Sequence, residues 1–534
     1  MKKKSLVVLL ALLMVLTTTL AGCGGGGSSS GGGGESSTPA EEPAEGGEVR
    51  EVLNIGEYDE EWVGADLNQG DTFYDLQMMI AEPLFLFNHD TGELEACLAE
   101  APEFNEDGSV MTFTVPEGRK FASGADLDAG DVKASLEHAI ADSPMNDTFC
   151  IIKDIQVDGN KVTVTSESYS TALLILLVSP FFCVIDSDQL ASMSNEELLW
   201  GAQPYGPYYI DSYAEGSGVV LKRNDGFKTL NKILENKEAA NIPEIHVTWY
   251  SDEFAMISAY QSGELDFLIG ITEDSLNALA NQPGVVVNST LPPMVRNVQM
   301  NANSEFLKDK RVRTAISMLI NRDEIVAAFG GEECCTKTYC YITSNVMFYT
   351  PEVGDYYKEN YSDNPEKAME LLKEAGWEDT DGDGMLDKDG KKMTLTFNTA
   401  SGKNETAALT IQQQLRKAGL DVNVVTTTET TALAEAGEYD LTMCNYWWSE
   451  PARYLHGMFK DHNCFDETEY NELLKQIETI TDNDKRFELV AEAQKMLMDE
   501  QVVIPLYTTS YMKIYDESLN PIFIVDGMFL NDCK

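Results

Sequence analysis

A recurring order of helix, glycine and strand constrains the fold of this chain more than any other feature of its sequence. In residues 364–377 (NPEKAMELLKEAGW), Asn364 is a suitable N-cap, proline follows at the first helical position, and Gly376 ends a helix with apolar residues at helical spacing. The same order recurs at 253–270 and 408–426, where the residues around and after the glycine alternate as in a strand. Helices that alternate with strands predict α/β layers.

Other segments extend this pattern over both halves of the chain. One amphipathic helix is predicted over 312–329 (VRTAISMLINRDEIVAAF). Runs of β-branched and alternating residues predict further strands at 52–55, 111–115, 161–165, 244–249, 393–397 and from Tyr439 onward.

The first 48 residues predict export rather than folding. Three lysines at 2–4 precede an apolar run at 6–16, which is typical of a secretory signal and too short for a membrane span. The small residues before Cys23 place the processing site at 22/23, so the signal peptide is 1–22. Residues 23–48 are rich in Gly, Ser and Glu and predict a disordered tether. The fold is therefore expected to begin near Val49.

Length and charge limit the remaining possibilities. The chain has 534 residues, so the part after the tether is too long for one hydrophobic core and predicts two or three domains. Its net charge of −51 repels phosphate backbones and anionic lipid head groups, which excludes nucleic acid as a partner. Ten cysteines include Cys23, and the odd number that remains leaves the disulfide pairing open.

The motifs of common enzyme classes are absent from the sequence. It has no Gly-x-Ser-x-Gly elbow, no His-Glu-x-x-His and no phosphate-binding glycine loop, and it has only five histidines. We therefore expect a protein that is not an enzyme and that has no cofactor.

An acidic segment at 379–390 (DTDGDGMLDKDG) is similar to the front of an EF-hand calcium loop. Gly390 stands where an EF-hand has its bidentate glutamate, so an acidic turn between a helix and a strand is the favoured interpretation. The weak calcium candidates are Asp379, Asp381, Asp383 and Asp387.

A second segment, CNYWWSEPARYLHGMF (444–459), places aromatic residues where a predicted strand ends in a loop. Ligands of open α/β sheets bind outside the carboxyl ends of strands, and aromatic rings provide apolar area with a polar group. The segment therefore predicts ligand contact, or else the packing of tryptophans at a domain interface. His456, His462 and Cys464 lie at or beyond its end, but their spacing matches no standard zinc motif.

Several motifs in a fixed order resemble one family. They are similar to segments of the solute-binding lipoproteins of ABC importers, in the dipeptide, oligopeptide and nickel class, and residues 20–23 (LAGC) are similar to a lipobox. The motifs are SGADLDAGDVKASLEHAI (123–140), YGPYYIDSYAEGSGVVLKRNDGF (205–227), SAYQSGELDF (258–267), LKDKRVRTAISMLINRDEIV (307–326), NPEKAMELLKEAGW (364–377) and GEYDLTMCNYWWSEP (437–451).

The resemblance implies an α/β fold like that of periplasmic binding proteins, with two main lobes, an inserted domain and a hinge. The implied divisions are lobe I at 49–85, 202–290 and 506–534, domain II at 86–201, and lobe III at 291–505. The implied function is extracytoplasmic capture of an oligopeptide or similar small solute for delivery to an ABC permease. The implied protein is a monomer on the outer face of the cell membrane, held there only by lipid on Cys23.

The resemblance leaves the solute open. Peptide binders of this class often have an aspartate for the peptide amine, but this chain has Trp447 at about that position, and Glu450 is the only carboxylate of the loop. Either Glu450 binds the amine or the solute has no ammonium. A nickel or other metal chelate held by His456 or His462 is an alternative, and a sensor for a membrane receptor is an alternative of another class. The predicted site comprises Tyr446, Trp447, Trp448 and Glu450 on lobe III, and Glu57, Tyr58 and Trp62 on lobe I.

Overall fold

The computed structural model describes residues 49–58, 62, 64–70, 75–272, 275–276, 279, 282–332, 335–457, 467–524 and 527–534. The predicted signal peptide, Cys23, the tether, His462 and Cys464 lie outside the described residues. The chain divides into units at 1–46 and 47–534, and every element below belongs to the second unit. Within the described ranges, no helix has the length and apolar character needed to cross a bilayer.

The first sheet has seven strands among the described residues, and the strand that begins the fold lies at its centre. In sheet order the strands are Val285–Thr290, Tyr511–Asp516, Phe267–Ile271, Val52–Tyr58, Glu244–Tyr250, Gly218–Arg223 and Tyr208–Ala214. The central strand is parallel to both neighbours, with Ile55 opposite Val247 on one side and Phe267 on the other. The remaining neighbours pair antiparallel.

The second sheet has six strands in the part of the chain that the structure describes. In sheet order they are Cys335–Lys337, Val503–Thr509, Arg296–Met300, Leu441–Cys444, Thr394–Thr399 and Asp421–Thr426. The last three strands are parallel, so their carboxyl ends meet at one edge. Arg296–Met300 is antiparallel to Leu441–Cys444, which places its first residue at that same edge.

In the described part of the chain, the backbone passes directly from one of these sheets to the other at two places. The first crossing is 291–295, between strands Val285–Thr290 and Arg296–Met300, and the second is Ser510. The sequence placed the return to lobe I at 506, but the backbone of Val503–Thr509 pairs with strands Arg296–Met300 and Cys335–Lys337 of the second sheet. These pairs keep the segment in the second sheet as far as Thr509.

A third sheet lies within the range predicted for the inserted domain. Its four described strands are antiparallel in the order Glu103–Phe104, Val110–Thr114, Lys161–Ser166 and Ile152–Asp158. Three two-stranded pairs complete the described strands: Phe85–Phe87 with Leu94–Ala96, Asp387–Lys388 with Lys391–Lys392, and Ile522–Ile524 with Gly527–Phe529.

Helices cover these sheets and connect their strands. The described α-helices are Ala129–Asp142, Asn146–Phe149, Thr171–Val178, Ser187–Ser192, Asn195–Gly201, Glu253–Ser262, Lys310–Leu319, Arg322–Ala328, Glu352–Tyr361, Pro365–Glu374, Lys403–Lys417, Thr430–Glu435, Pro451–Gly457, Thr468–Thr479 and Asn483–Glu500. Short 3₁₀ helices lie at Leu67–Gln69 and Asp75–Met79. The mixed parallel and antiparallel sheets with their connecting helices confirm the predicted α/β class.

The helix predicted over 312–329 is two helices. Lys310–Leu319 ends before Asn321, whose side chain accepts a hydrogen bond from the Glu324 backbone N–H at 3.1 Å and so caps Arg322–Ala328. The apolar spacing continues across the break, and for that reason periodicity alone predicted one helix. A capping side chain provides a local alternative to the helical hydrogen bond and starts a new axis.

The first sheet is covered on both faces. Phe267 and Ile269 point into one apolar cluster, while Leu268 and Ile271 of the same strand point into another. Burial on both faces explains the continuous apolar run FLIGI of this strand. A third, larger cluster holds the second sheet and the four-stranded sheet together, with Val298 and Phe113 among its members.

Candidate functional site

The candidate site follows the strand Leu441–Cys444. Residues 445–450, which we name the aromatic loop, connect this strand to the helix Pro451–Gly457. The loop therefore begins where the parallel strands of the second sheet end, which is where ligands bind in open α/β sheets.

Two aromatic side chains of the loop are open to solvent to different degrees. Trp447 has 50% of its surface exposed, a high value for a tryptophan, whereas Tyr446 is half-buried. The Tyr446 ring packs edge-on against Tyr454 with centroids 6.0 Å apart. A Cβ atom at Gly457 would lie 2.6 Å from the Tyr446 ring, so the absent side chain there leaves room for the ring.

Trp448 is packed into the protein. It is 9% exposed, its ring centroid lies 5.4 Å from that of Phe181, and the Arg453 guanidinium lies 5.1 Å from its centre. Its backbone N–H lies 3.4 Å from the carbonyl oxygen of Pro293 in the first crossing. Trp448 thus attaches the aromatic loop to both the crossing and the predicted domain II.

Glu450 caps the helix that follows the loop. Its carboxylate is completely buried and accepts hydrogen bonds from the backbone N–H groups of Ala452 at 3.1 Å and Arg453 at 2.7 Å. The Thr171 hydroxyl donates a third hydrogen bond at 2.8 Å. Burial raises the pKa of the Glu450 carboxyl, and these three donors oppose that rise. These three donors all belong to the chain itself, and they hold the carboxylate in its orientation.

The predicted residues of lobe I include a second buried carboxylate. The Glu57 side chain is completely buried and accepts hydrogen bonds from the indole N–H groups of Trp62 at 3.2 Å and Trp249 at 3.0 Å. Trp249 lies directly opposite Glu57 on the neighbouring strand. Tyr58 is half-buried and packs against the apolar cluster of the other sheet face. That this group and the aromatic loop contact one solute stays a prediction.

Sequence reasoning missed Arg296 and Trp249. Arg296 begins the strand next to Leu441–Cys444, and its guanidinium donates to the Asn445 side chain at the start of the aromatic loop. A sequence signal was present, because a charged residue directly follows the apolar segment 291–295 at the start of a strand. Trp249 was hidden because it lies within an ordinary alternating strand.

A cavity of about 660 Å³ opens beside the helix Pro451–Gly457. Tyr446, Arg453 and His456 line one side, and Thr148 and Ser170 from the predicted domain II line the other. Arg453 connects the two sides through a 2.8 Å hydrogen bond to the Thr148 hydroxyl. His456 is exposed on this helix, as expected for a surface histidine.

In the acidic segment 379–390, three of the four candidate aspartates converge. One oxygen each of Asp379, Asp381 and Asp387 lies within 4.8 Å of the others, whereas Asp383 forms an ion pair with Lys392. The loop already uses these carboxylates. Asp379 accepts from the backbone N–H groups of Gly382 and Gly384, and Asp387 accepts from the side chain and backbone of Thr380. The pattern is that of an acidic turn.

Among the described residues, free thiols are found at Cys97, Cys150, Cys183, Cys340 and Cys533. Four of these five thiols are buried, and Cys150 is exposed.

Curated relatives of similar length are binding proteins. The oligopeptide-binding protein AppA of Bacillus subtilis is 26% identical over 402 residues, which are 72% of this chain and 69% of AppA. The glutathione-binding protein GsiB of Salmonella paratyphi A is 25% identical over 458 residues, which are 80% of this chain and 83% of GsiB.

Solved structures share the fold. NikA from Brucella suis, solved with Fe(III)-EDTA, superposes with a TM-score of 0.73 at 21% identity, covering 90% of this chain and 99% of NikA. DppA from Helicobacter pylori, solved with the peptide STSA, gives 0.65 at 19% identity, covering 90% and 96%.

The chain also matches one protein family over most of its length. Residues 93–463 match the family described as bacterial extracellular solute-binding proteins, family 5 Middle. This range begins before the four-stranded sheet and continues past the aromatic loop. Because the match covers more than half of the chain, the chain belongs to family 5 of the bacterial extracellular solute-binding proteins.

Proposed function

We propose that this protein is the solute-binding component of an ABC importer and captures an oligopeptide or a similar small solute. The observation that carries the proposal is the aromatic loop, which lies at the carboxyl ends of parallel strands beside one of the two crossings between sheets. Two sheets joined by two crossings can close on a solute by a hinge motion. Family membership and the names of the relatives support the same function.

In the proposed site, Tyr446 and Trp447 form the apolar wall. They are the loop aromatics with solvent-accessible surface, and aromatic rings bury large areas against a small molecule. Trp448 and Glu450 hold the loop in place from beneath, because their side chains are buried and fixed by contacts within the chain. In the wall of lobe I, the hydrogen bond from the Trp62 indole to Glu57 fixes both side chains, and Tyr58 lies beside them.

The proposed solute class rests on the nature of the relatives. The names of AppA and GsiB specify an oligopeptide and glutathione, and both are peptides. A metal chelate is the second candidate. Its support is the similarity to NikA, which was solved with Fe(III)-EDTA, together with the exposed His456 on the 660 Å³ cavity. Neither candidate requires catalytic residues or a resident cofactor.

The proposal includes a lipid anchor at Cys23. The supporting feature is the sequence before it, a lysine-containing start, an apolar run and Leu-Ala-Gly. Two acyl chains are enough for stable anchoring, and the tether at 23–48 would keep a monomeric binding body near its permease.

Uptake measurements in the source bacterium test the proposal. Deletion of the gene should abolish the uptake of radiolabelled tetrapeptides, and the full-length gene should restore it. If the protein is instead a sensor, deletion of the gene should leave uptake unchanged and should abolish a transcriptional response to the same peptides. Unchanged uptake of both peptides and metal chelates would contradict the importer function.

A further inference from the structure

Arg296 stands out among the arginines because of its partners. The other exposed or half-buried arginines of the described chain pair with aspartates, as Arg223 does with Asp225 at 2.8 Å and Arg416 does with Asp421 at 3.1 Å. Buried Arg322 and Arg486 donate instead to backbone carbonyls, for example to Pro505 and Ile477. Each of these positive charges therefore has acceptors within the fold.

Arg296 has neither kind of partner. Among the described residues, no carboxylate lies within 4 Å of its guanidinium, and the hydrogen bond that it makes goes to the Asn445 side chain. Its neighbours are the aromatic hydroxyls of Tyr454 and Tyr507 and the thiol of Cys444. A guanidinium has five N–H donors, so this arrangement uses few of them.

The half-buried position makes this arrangement costly. Arg296 is half-buried at the edge of the second sheet, and this burial lowers its pKa. Removal of a charge from water is unfavourable unless an opposite charge or several hydrogen bonds replace the water. The surplus of acidic residues in this chain makes the lack of a carboxylate partner more notable, because 89 are available.

The location links the charge to the solute. Asn445, which accepts from Arg296, is the first residue of the aromatic loop and is followed by the two rings proposed to contact the solute. An anion bound beside Asn445 would thus be within reach of the guanidinium. The planar fork of a guanidinium matches the two oxygens of a carboxylate and can bind it through two parallel hydrogen bonds.

We infer that Arg296 binds a carboxylate of the solute and that the site selects solutes in which a carboxylate lies next to an apolar group. The inference rests on the proposed function, since it requires a solute at the aromatic loop. The carboxylate can be a peptide C-terminus or an acidic side chain, and the two sources are separable by experiment. Arg296 is then a specificity-determining residue that the sequence pattern did not identify.

Three peptide sets test this inference on the full chain purified in detergent. The first contains tetrapeptides with neutral side chains and a free C-terminus, and the second contains the same peptides as C-terminal amides. The third contains amidated peptides with one aspartate or glutamate. We expect calorimetry to show that the amides without an acidic residue bind at least about tenfold more weakly than the free acids. Binding of the third set shows whether a side chain can supply the carboxylate.

Variants assign the preference to Arg296. Arg296→Met should abolish the difference between free acids and amides, and Arg296→Lys should retain part of it because the charge remains. Arg416→Met is the matched control, since it removes one exposed positive charge that pairs with the start of the edge strand, away from the aromatic loop, and should retain the full difference. Equal affinity of the wild type for all three sets would overturn the inference and leave the proposed function intact. Failure of every set and of metal chelates to bind would overturn both.

Discussion

Trp447 and Trp448 have opposite environments although one peptide bond joins them. Trp447 has half of its surface exposed, while Trp448 packs on Phe181 beneath the Arg453 guanidinium. The exposed ring and the buried ring therefore have different surroundings within one loop. A ring in water is available to a solute, and a buried ring is already used by the fold.

The pair provides a matched prediction. Trp447→Ala should weaken solute binding by about 1–2 kcal/mol with little change in melting temperature, because half of its surface is exposed. Trp448→Ala should lower the free energy of unfolding by about 3–5 kcal/mol, as for other buried aromatic residues. Calorimetry and thermal melts of both variants measure the two effects. A large fall in the melting temperature of Trp447→Ala with unchanged affinity would make its ring structural.

Glu82 gives a prediction about pH. Its side chain is buried, the Cys97 thiol lies 3.5 Å away, and burial raises the pKa of Glu82 from 4.5 to about 7. Between these pH values the folded protein keeps a proton that the unfolded chain releases, so the stability falls as the pH rises and is level above about 7. Glu82→Gln should remove this pH-dependent loss, which is roughly 3 kcal/mol in the free energy of unfolding.

Melting temperatures of wild type and Glu82→Gln across pH 4 to 8 check this effect. The variant should gain stability relative to the wild type as the pH rises, and the difference should stop growing near pH 7. Parallel curves for the two proteins would show that Glu82 does not titrate in this range.

At the scale of elements, local sequence signals predicted the cores of helices and strands well. Pro365–Glu374 begins after the predicted cap Asn364, and Gly376 takes the left-handed conformation with a φ of 90° that favours glycine. The signals failed where two of them competed. Apolar spacing continues through Asn321, but its side chain begins a second helix there. Only the folded geometry decides which signal prevails.

Substitution of Asn321 tests this interpretation of the break. Asn321→Ala should lower the free energy of unfolding by about 1 kcal/mol, because the Glu324 N–H loses its acceptor. Asn321→Ser is the control, since serine caps nearly as well and should lower stability much less. Urea unfolding of both variants measures the difference, and equal losses would indicate that the cap has no effect on stability.

At the scale of the whole molecule, the class of fold was predictable because alternating helices and strands leave few arrangements. The crossings were harder to place. Val503–Thr509 and Tyr511–Asp516 follow each other with one residue between them, yet they belong to different sheets on either side of Ser510. The candidate site was predictable in part. The sequence identified the aromatic loop, but it could not separate Trp447 from Trp448 or find Arg296, because burial depends on distant segments such as Phe181 and 291–295.

Anchoring is a prediction about the whole molecule in its cell. Cys23→Ser should release the protein from membranes into the soluble fraction, because the acidic body is repelled by anionic lipids and only the acyl chains hold it. The melting temperature should be unchanged, since the fold begins after the tether. Retention of the variant on membranes in high salt would contradict lipid anchoring at this cysteine.

Mass spectrometry of the purified full chain tests the central claim most directly. The intact protein, sprayed under native conditions after incubation with tetrapeptides and metal chelates, should carry one small solute per chain. After denaturation that solute should be recovered with its mass unchanged, as required of a binding protein. Absence of any bound solute from both sets, or recovery of a chemically altered one, would contradict the claim that this chain captures a solute for transport.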